Sequence, residues 1–211
     1  MNTRASALFF LLVAQLVVTL SILSSVQAQN PMKTETPAEN EAVATFAGGC
    51  FWCMQPPYDN TPGVLKTYVG YTGGHVKDPS YEAVSRGTTG HTEAIRVIYD
   101  SSKVSYEKLL DVFWRNIDPT QEDGQFADRG SQYRTGIFFH SPEQERLARA
   151  SKDTLQKSAK FGRPIVTEIS PAGDFYRAEE DHQGYYKKNS VHYNLYKLGS
   201  GRAGFIEKNW K

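Results

Sequence analysis

Residues 42–58 read AVATFAGGCFWCMQPPY, and this stretch decides how the rest of the chain is organised. Its first five residues alternate in character like a half-buried strand, and Gly48-Gly49 supplies a tight turn. From Cys50 to about Tyr58 the residues suit one or two helical turns, which the Pro56-Pro57 pair and the following DNTPG are expected to end. Cys50 therefore stands where a strand hands over to a helix, facing free backbone N–H groups and the positive end of the helix dipole. A thiol so placed is expected to have a lowered pKa and a larger thiolate fraction.

The same stretch contains both cysteines of the 211-residue chain, Cys50 and Cys53, with Phe51 and Trp52 between them. Three readings compete with a reactive pair. A structural disulfide across so short a loop would remove little unfolded-state entropy. Half of a zinc site would need a second ligand pair, and the five histidines are scattered along the chain. Two thiols that merely fill space are common, but that reading leaves their pairing unexplained.

Working outward, VLKTYVGYTGG is a second strand, a short helix is expected around Tyr81 to Ser85, and TEAIRVIYD is a third strand. Alternation in the third strand puts Glu93, Ile95, Val97 and Tyr99 on one face, so a carboxylate leads its more apolar side. SYEKLLDVFWRNID follows as an amphipathic helix with Ser105 as N-cap. The polar stretch from Asp118 to Gln132 has too many breakers for a regular element and is long enough to suggest function. YRTGIFFH reads as a fourth strand, and SPEQERLARASKDTLQKSAK as a helix opened by Ser141, Pro142 and Gln144 in a capping-box pattern. PIVTEIS is a further strand. From Phe175 onward the chain is polar and aromatic, with one helix expected within RAEEDHQGYYKKN. Strands and helices in mixed order predict a single α+β domain of two layers, a central mixed β-sheet flanked by helices.

The chain opens with Arg4, an apolar run from about Ala7 to Leu23, and small residues at Val26 and Ala28. This is the anatomy of a secretory signal peptide over residues 1–28, with an uncleaved membrane anchor as the alternative. Export to the periplasm or medium is the expected localisation. Residues 29–42 read as a flexible linker, leaving 43–211 as one catalytic domain. The formal net charge of +1 and the absence of a basic stripe speak against a nucleic-acid partner.

A reactive Cys50 needs a target. Phe51 and Trp52 could wall an apolar slot, since aromatic faces make favourable contacts with sulfur and methyl groups. Glu93 on an apolar strand face would be held protonated by desolvation and could act as an acid. Each has a plainer alternative: core packing for the aromatics, a solvent-facing edge for the carboxylate.

GGCFWC, GYTGG, SYEAVSRGTTGHTEAIRVIYD, DPTQ, DRGSQYRTGIFFH and AEEDHQGYY, in this order, resemble methionine sulfoxide reductase type A. The resemblance runs from about Val43 to Tyr186. It implies that Cys50 attacks the sulfoxide sulfur, that Phe51 and Trp52 hold the S-methyl group of the S epimer, and that Glu93 protonates the sulfoxide oxygen. Tyr81 and Tyr133 match tyrosines that hydrogen-bond this oxygen, and Asp128 matches a carboxylate of the same pocket. Tyr185 is a weaker candidate for the site, and His182 is expected to be structural. The resemblance implies no metal or organic cofactor; the partners it implies are oxidised proteins or peptides and a thioredoxin-like reductant, with a monomer expected.

One departure bears on recycling. The family's usual pattern has glycine at the position of Cys53, and many members keep recycling cysteines in a C-terminal tail. Here that tail has none, so Cys53 is the resolving thiol expected within the chain. The competing functions are a general thiol–disulfide oxidoreductase, suggested by CxxC at a strand-to-helix junction, and an exported module that binds a peptide in an aromatic pocket.

Overall fold

The computed structural model describes Pro31 and residues 39–210. The expected signal peptide, and all of the expected linker except Pro31 and residues 39–42, lie outside the described residues. The first strand, β1, spans Glu41–Gly48 and so begins two residues ahead of the expected domain boundary. Helix α1, Phe51–Asp59, follows directly. Next come β2, Val64–Thr72; a short helix α2, Tyr81–Ser85; β3, Thr92–Asp100; and α3, Tyr106–Trp114. The two-residue strands β4, Gly124–Gln125, and β5, Asp128–Arg129, pair as a small hairpin. A 3-10 turn at Ser131–Tyr133 leads into β6, Thr135–Phe139, and α4, Pro142–Lys157. Strands β7, Glu168–Pro171, and β8, Phe175–Arg177, precede three C-terminal helices. These are α5, Tyr185–Lys188; α6, Ser190–Gly199; and α7, Arg202–Trp210.

Six strands form one sheet in the order β7-β6-β1-β3-β2-β8. β6 and β7 run parallel and the other neighbours antiparallel, so the sheet is mixed, as expected for the α+β class. Its register follows the alternation in the sequence. Phe46 lies opposite Ile95, and Ile95, Val97 and Tyr99 join Ala44 and Phe46 in the main core. Met54 and Tyr58 of α1 and Leu109, Leu110 and Phe113 of α3 close that core from above, with Ala148 of α4 packed alongside. The expected N-caps form, with Ser105 Oγ accepting from Lys108 N–H and Ser141 Oγ from Gln144 N–H. Gln144 does not complete a capping box. Its Oε1 accepts from His140 N–H and its Nε2 donates to the Val43 carbonyl, which ties the helix to β1.

Three expectations need correction. Pro56 and Pro57 do not end α1 but lie inside it. Their missing N–H groups each remove one helical bond. Their carbonyls still accept from Asn60 N–H and Thr61 Oγ1–H, and buried Met54 and Tyr58 pin the helix on either side. The polar stretch 118–132 is ordered by a buried side chain: Gln125 Nε2 donates to the Asp118 carbonyl while Gln125 Oε1 accepts from Asp118 N–H, both at 2.8 Å. The region from Phe175 onward, expected to be polar and aromatic with one helix, also contains a sheet strand and two further helices, α6 and α7.

Candidate active site

Gly49 makes the turn that aims Cys50. Its φ of +76° belongs to the left-handed region, and a Cβ there would come within 2.5 Å of Gln125 Cβ, so both conformation and space call for glycine. Cys50 is the N-cap of α1, yet its side chain makes no capping bond. The vacant helix N–H of Phe51 instead donates to Glu93 Oε2 at 2.9 Å. This bond fixes the β3 carboxyl beside the thiol. Cys53 sits one turn on, with its N–H donating to the Cys50 carbonyl at 3.0 Å. Both cysteines are buried and unbonded to each other.

A cavity of about 120 Å³ opens here, lined by Cys50, Trp52, Tyr81, Glu93, Asp128, Tyr133 and Tyr196. Six of these seven were expected from the sequence. Phe51 was also expected but lies behind the wall, buried against Tyr71 and His182. Trp52 forms the wall and is firmly held. Its indole stacks on Tyr185 with ring centres 3.8 Å apart, and its Nε1–H donates to His182 Nδ1 at 3.1 Å. His182 is thus structural, as expected, and Tyr185 supports the site through Trp52. Tyr81 rests on the His182 ring, while its backbone N–H donates to Glu179, which also accepts from Tyr71 Oη–H. Tyr133 is positioned by its neighbour Gln132, whose Nε2 donates to the Ser85 carbonyl and whose own carbonyl accepts from Thr92 Oγ1–H. Asp128 accepts from the hydroxyl of Tyr196.

Glu93 is 3% exposed. Burial pushes its carboxyl up to about 8, against the opposing bond from Phe51 N–H, with further upward pressure from Asp128 and Cys53. It therefore holds a proton at neutral pH, as the apolar strand face predicted. Burial also raises the Asp128 carboxyl, opposed by the Tyr196 hydroxyl. The thiols reverse the sequence expectation. Burial raises the Cys50 thiol well above the ordinary cysteine range, outweighing its place at a helix start, and hydrogen bonding to Cys53 adds to the rise. Cys53 is drawn down to about 7, first by the hydrogen bond from Cys50 and then by the positive charges of Arg202 and Lys197, against burial. The contact between the two thiols thus raises Cys50 and lowers Cys53.

Sequence reasoning missed Tyr196, which completes the cavity from α6, and Arg202, buried at the start of α7. The available signal was Tyr193, Tyr196 and Lys197 at helical spacing, one face of α6 turned inward.

Among the described residues no group of three or more histidine, cysteine or acidic side chains is placed to hold a metal. One thiol, Cys50, lines the cavity together with the carboxyls of Glu93 and Asp128 and three tyrosines, and Cys53 lies one helical turn behind it. The fold, and a site built on a cysteine beside a buried carboxyl, fit the class of thiol-based oxidoreductases. Residues 42–211 match the family model described as peptide methionine sulfoxide reductase, and the chain belongs to that family. It is 57% identical over 173 residues to the peptide methionine sulfoxide reductase MsrA of Bacillus pumilus, covering 82% of this chain and 97% of that one. The solved structure of Mxr1 from Saccharomyces cerevisiae in reduced form is similar at a TM-score of 0.69 and 34% identity, covering 75% of this chain and 91% of that one. Mxr1 in complex with Trx2 aligns at a TM-score of 0.50 and 27% identity, over 72% of this chain and 91% of that one.

Proposed function

We propose that the chain reduces the S epimer of methionine sulfoxide in oxidised peptides and proteins, with Cys50 as nucleophile, Glu93 as acid and Cys53 as resolving thiol. The observation that carries this reading is the buried Glu93 carboxyl, held by Phe51 N–H at the mouth of α1 beside Cys50. A sulfoxide is a poor electrophile until its oxygen is protonated, and Glu93 supplies that proton. Tyr81 and Tyr133 line the same cavity, and in this reading their hydroxyls take the part of an oxyanion hole for the developing S–O–H. Trp52 gives the methyl group an apolar, polarisable wall.

The steps balance within the site. As Cys50 Sγ attacks the substrate sulfur, its proton passes to the Cys53 thiolate and the Glu93 proton goes to the sulfoxide oxygen. The oxygen then transfers to Cys50, giving a sulfenic acid and the thioether. Cys53 Sγ attacks the Cys50 sulfur, the S–S bond forms and the S–O bond breaks. Water leaves with the two protons that began on Cys50 and Glu93. A dithiol reductant of the thioredoxin type returns the pair to thiols, a partner class supported by the solved complex of Mxr1 with Trx2. The apolar amino-terminal run supports export.

The test is dithiothreitol-driven reduction of separated S and R epimers by the protein from Gln29 onward, beside Cys50→Ser. Turnover of the S epimer alone, lost in the variant, is the expected result. A folded, reduced protein that turns over neither epimer overturns the reading in favour of the thiol–disulfide oxidoreductase.

A further inference from the structure

Arg202 is a buried cation that the mechanism above does not use. It is 1% exposed, and a guanidinium cannot escape burial by losing its proton. Its Nη2–H donates to the Gly48 carbonyl at 2.8 Å, and Nη1–H donates to the Asn116 carbonyl. Nη1 also lies 3.6 Å from Met54 Sδ, and the guanidinium covers the Phe126 ring at 4.6 Å. Gly49 is so close that a Cβ on it would meet Nη2 at 2.9 Å. The cation thus sits against the Gly48–Cys50 turn and the first turn of α1, which together carry both thiols. Among the described residues it takes part in no ion pair with a carboxylate. Neutral carbonyls and a ring satisfy its hydrogens but leave its charge uncancelled, and in a buried setting such a charge acts strongly on nearby ionisable groups.

We propose that Arg202 is a positioning residue for the resolving step, supplying from the C-terminal tail the clamp and the positive charge that hold Cys53 ready to attack the Cys50 sulfenic sulfur. The proposal rests on the reading of Cys53 as the resolving thiol. The groups acting on Cys53 come from every side. Cys50 donates a hydrogen bond from α1, Arg202 and Lys197 draw the thiol down from the tail, and Asp128 opposes them from β5. Glu93 on β3 feels the Cys53 charge. Tyr193 of α6 does too, and its buried hydroxyl has no hydrogen-bond partner among the described residues. By the resolving step Glu93 has given up its proton and Cys53 carries the one that left Cys50, so the negative charge in the cavity makes a Cys53 thiolate harder to form again. Arg202 and Lys197 are the cations that counter this. A tail that contains no cysteine thereby keeps a part in recycling by activating the thiol on α1.

The test separates two rates in one turnover of the full chain. Reduced protein is mixed with an S-sulfoxide peptide without reductant, and the thioether product and the loss of alkylatable thiols to a disulfide are timed across pH. The quantity read is the ratio of disulfide rate to product rate. In Arg202→Met this ratio is expected to fall about tenfold near neutral pH, the effect of raising a thiol pKa by one unit, and to recover as pH rises above that pKa. Arg202→Lys keeps the charge and should hold the ratio within about threefold of wild type. A wild-type ratio in Arg202→Met overturns the proposal. So does an equal, pH-independent deficit in both variants, which would mark a purely structural role. If Arg202→Met does not fold, the lysine variant decides, because a tenfold deficit there overturns the charge argument. Wild-type protein that forms product but no intramolecular disulfide shows instead that the reading of Cys53 itself is at fault.

Discussion

Glu93 and Tyr196 face the same cavity from opposite sides, but their supports differ. Glu93 belongs to a strand paired on both edges, with β1 and β2 as neighbours and Ile95 and Val97 anchored in the main core. Tyr196 rides on a ten-residue helix with one buried position, Tyr193. On the outer side of that helix Val191, Leu195 and Leu198 are exposed. The first half of the site is held mainly by burial of apolar surface, the second by directed contacts, Tyr196 to Asp128, Tyr185 on Trp52 and Arg202 on two carbonyls, with the α7 rings Phe205 and Trp210 packed farther off on Phe126, Phe161 and the core. The reaction divides along the same line in our reading. The sheet half carries the acid and nucleophile, and the tail half tunes and covers them.

Changes in the sheet half should therefore have the larger effects. Glu93→Gln keeps an acceptor for Phe51 N–H but removes the acid, and kcat for the S epimer should fall roughly 10²–10⁴-fold. Wild-type activity should decline as pH rises through about 8, where Glu93 loses its proton; the variant's residual rate should lack that limb. Stability gives an independent check. The folded-state pKa of Glu93 lies above its unfolded value, so the folded state binds more protons between the two. The group's contribution is fully present below the unfolded pKa and is lost as pH rises through about 8. Thermal melts should show Glu93→Gln gaining on wild type from acid to alkaline pH. A constant gap across that range would mean that Glu93 is not held protonated.

Leu109→Ala tests the same half without touching the chemistry. Leu109 is fully buried among core residues of β1, β3 and α1, so denaturant unfolding should show a loss of about 2–5 kcal/mol. Tyr196→Phe, on the tail side, removes the hydroxyl that hydrogen-bonds Asp128 and meets the Cys50 thiol. Loss of that bond should lower kcat/KM about tenfold, the size of one hydrogen bond to a charged group, with little change in Tm. A loss as deep as that of Glu93→Gln would place Tyr196 on the reacting atoms and erase the division between the halves.

What was legible in the sequence follows the same division. β3 lies where its alternation indicated, because one face of it is apolar, and α2 falls on Tyr81–Ser85 as expected. The cavity residues carried by those elements and by the loop before β6 were named from motifs. The tail was misread because its periodicity points the wrong way: in α6 the aliphatic residues face water and the tyrosines face the site. A pattern rule that sends apolar residues inward finds no helix there to bury. Likewise, helix-start logic predicted an acidic Cys50 from local backbone alone. It had no access to the burial and the second thiol that raise Cys50 and lower Cys53.

Leu195→Ala should have the smallest effect, and the size of that effect bears directly on the contrast. Leu195 is 67% exposed and its helix turns Tyr193 and Tyr196 toward the protein instead. If the tail is held by directed contacts, removing an outward leucine takes little apolar surface out of the folded state that was not already in water. Alanine also favours the helix slightly. Denaturant unfolding should then change by no more than about 0.5 kcal/mol in either direction, and S-epimer turnover with dithiothreitol should match wild type. A loss comparable to that of Leu109→Ala would mean that the outer face of α6 is packed in solution and that the tail is held by burial, as the sheet is.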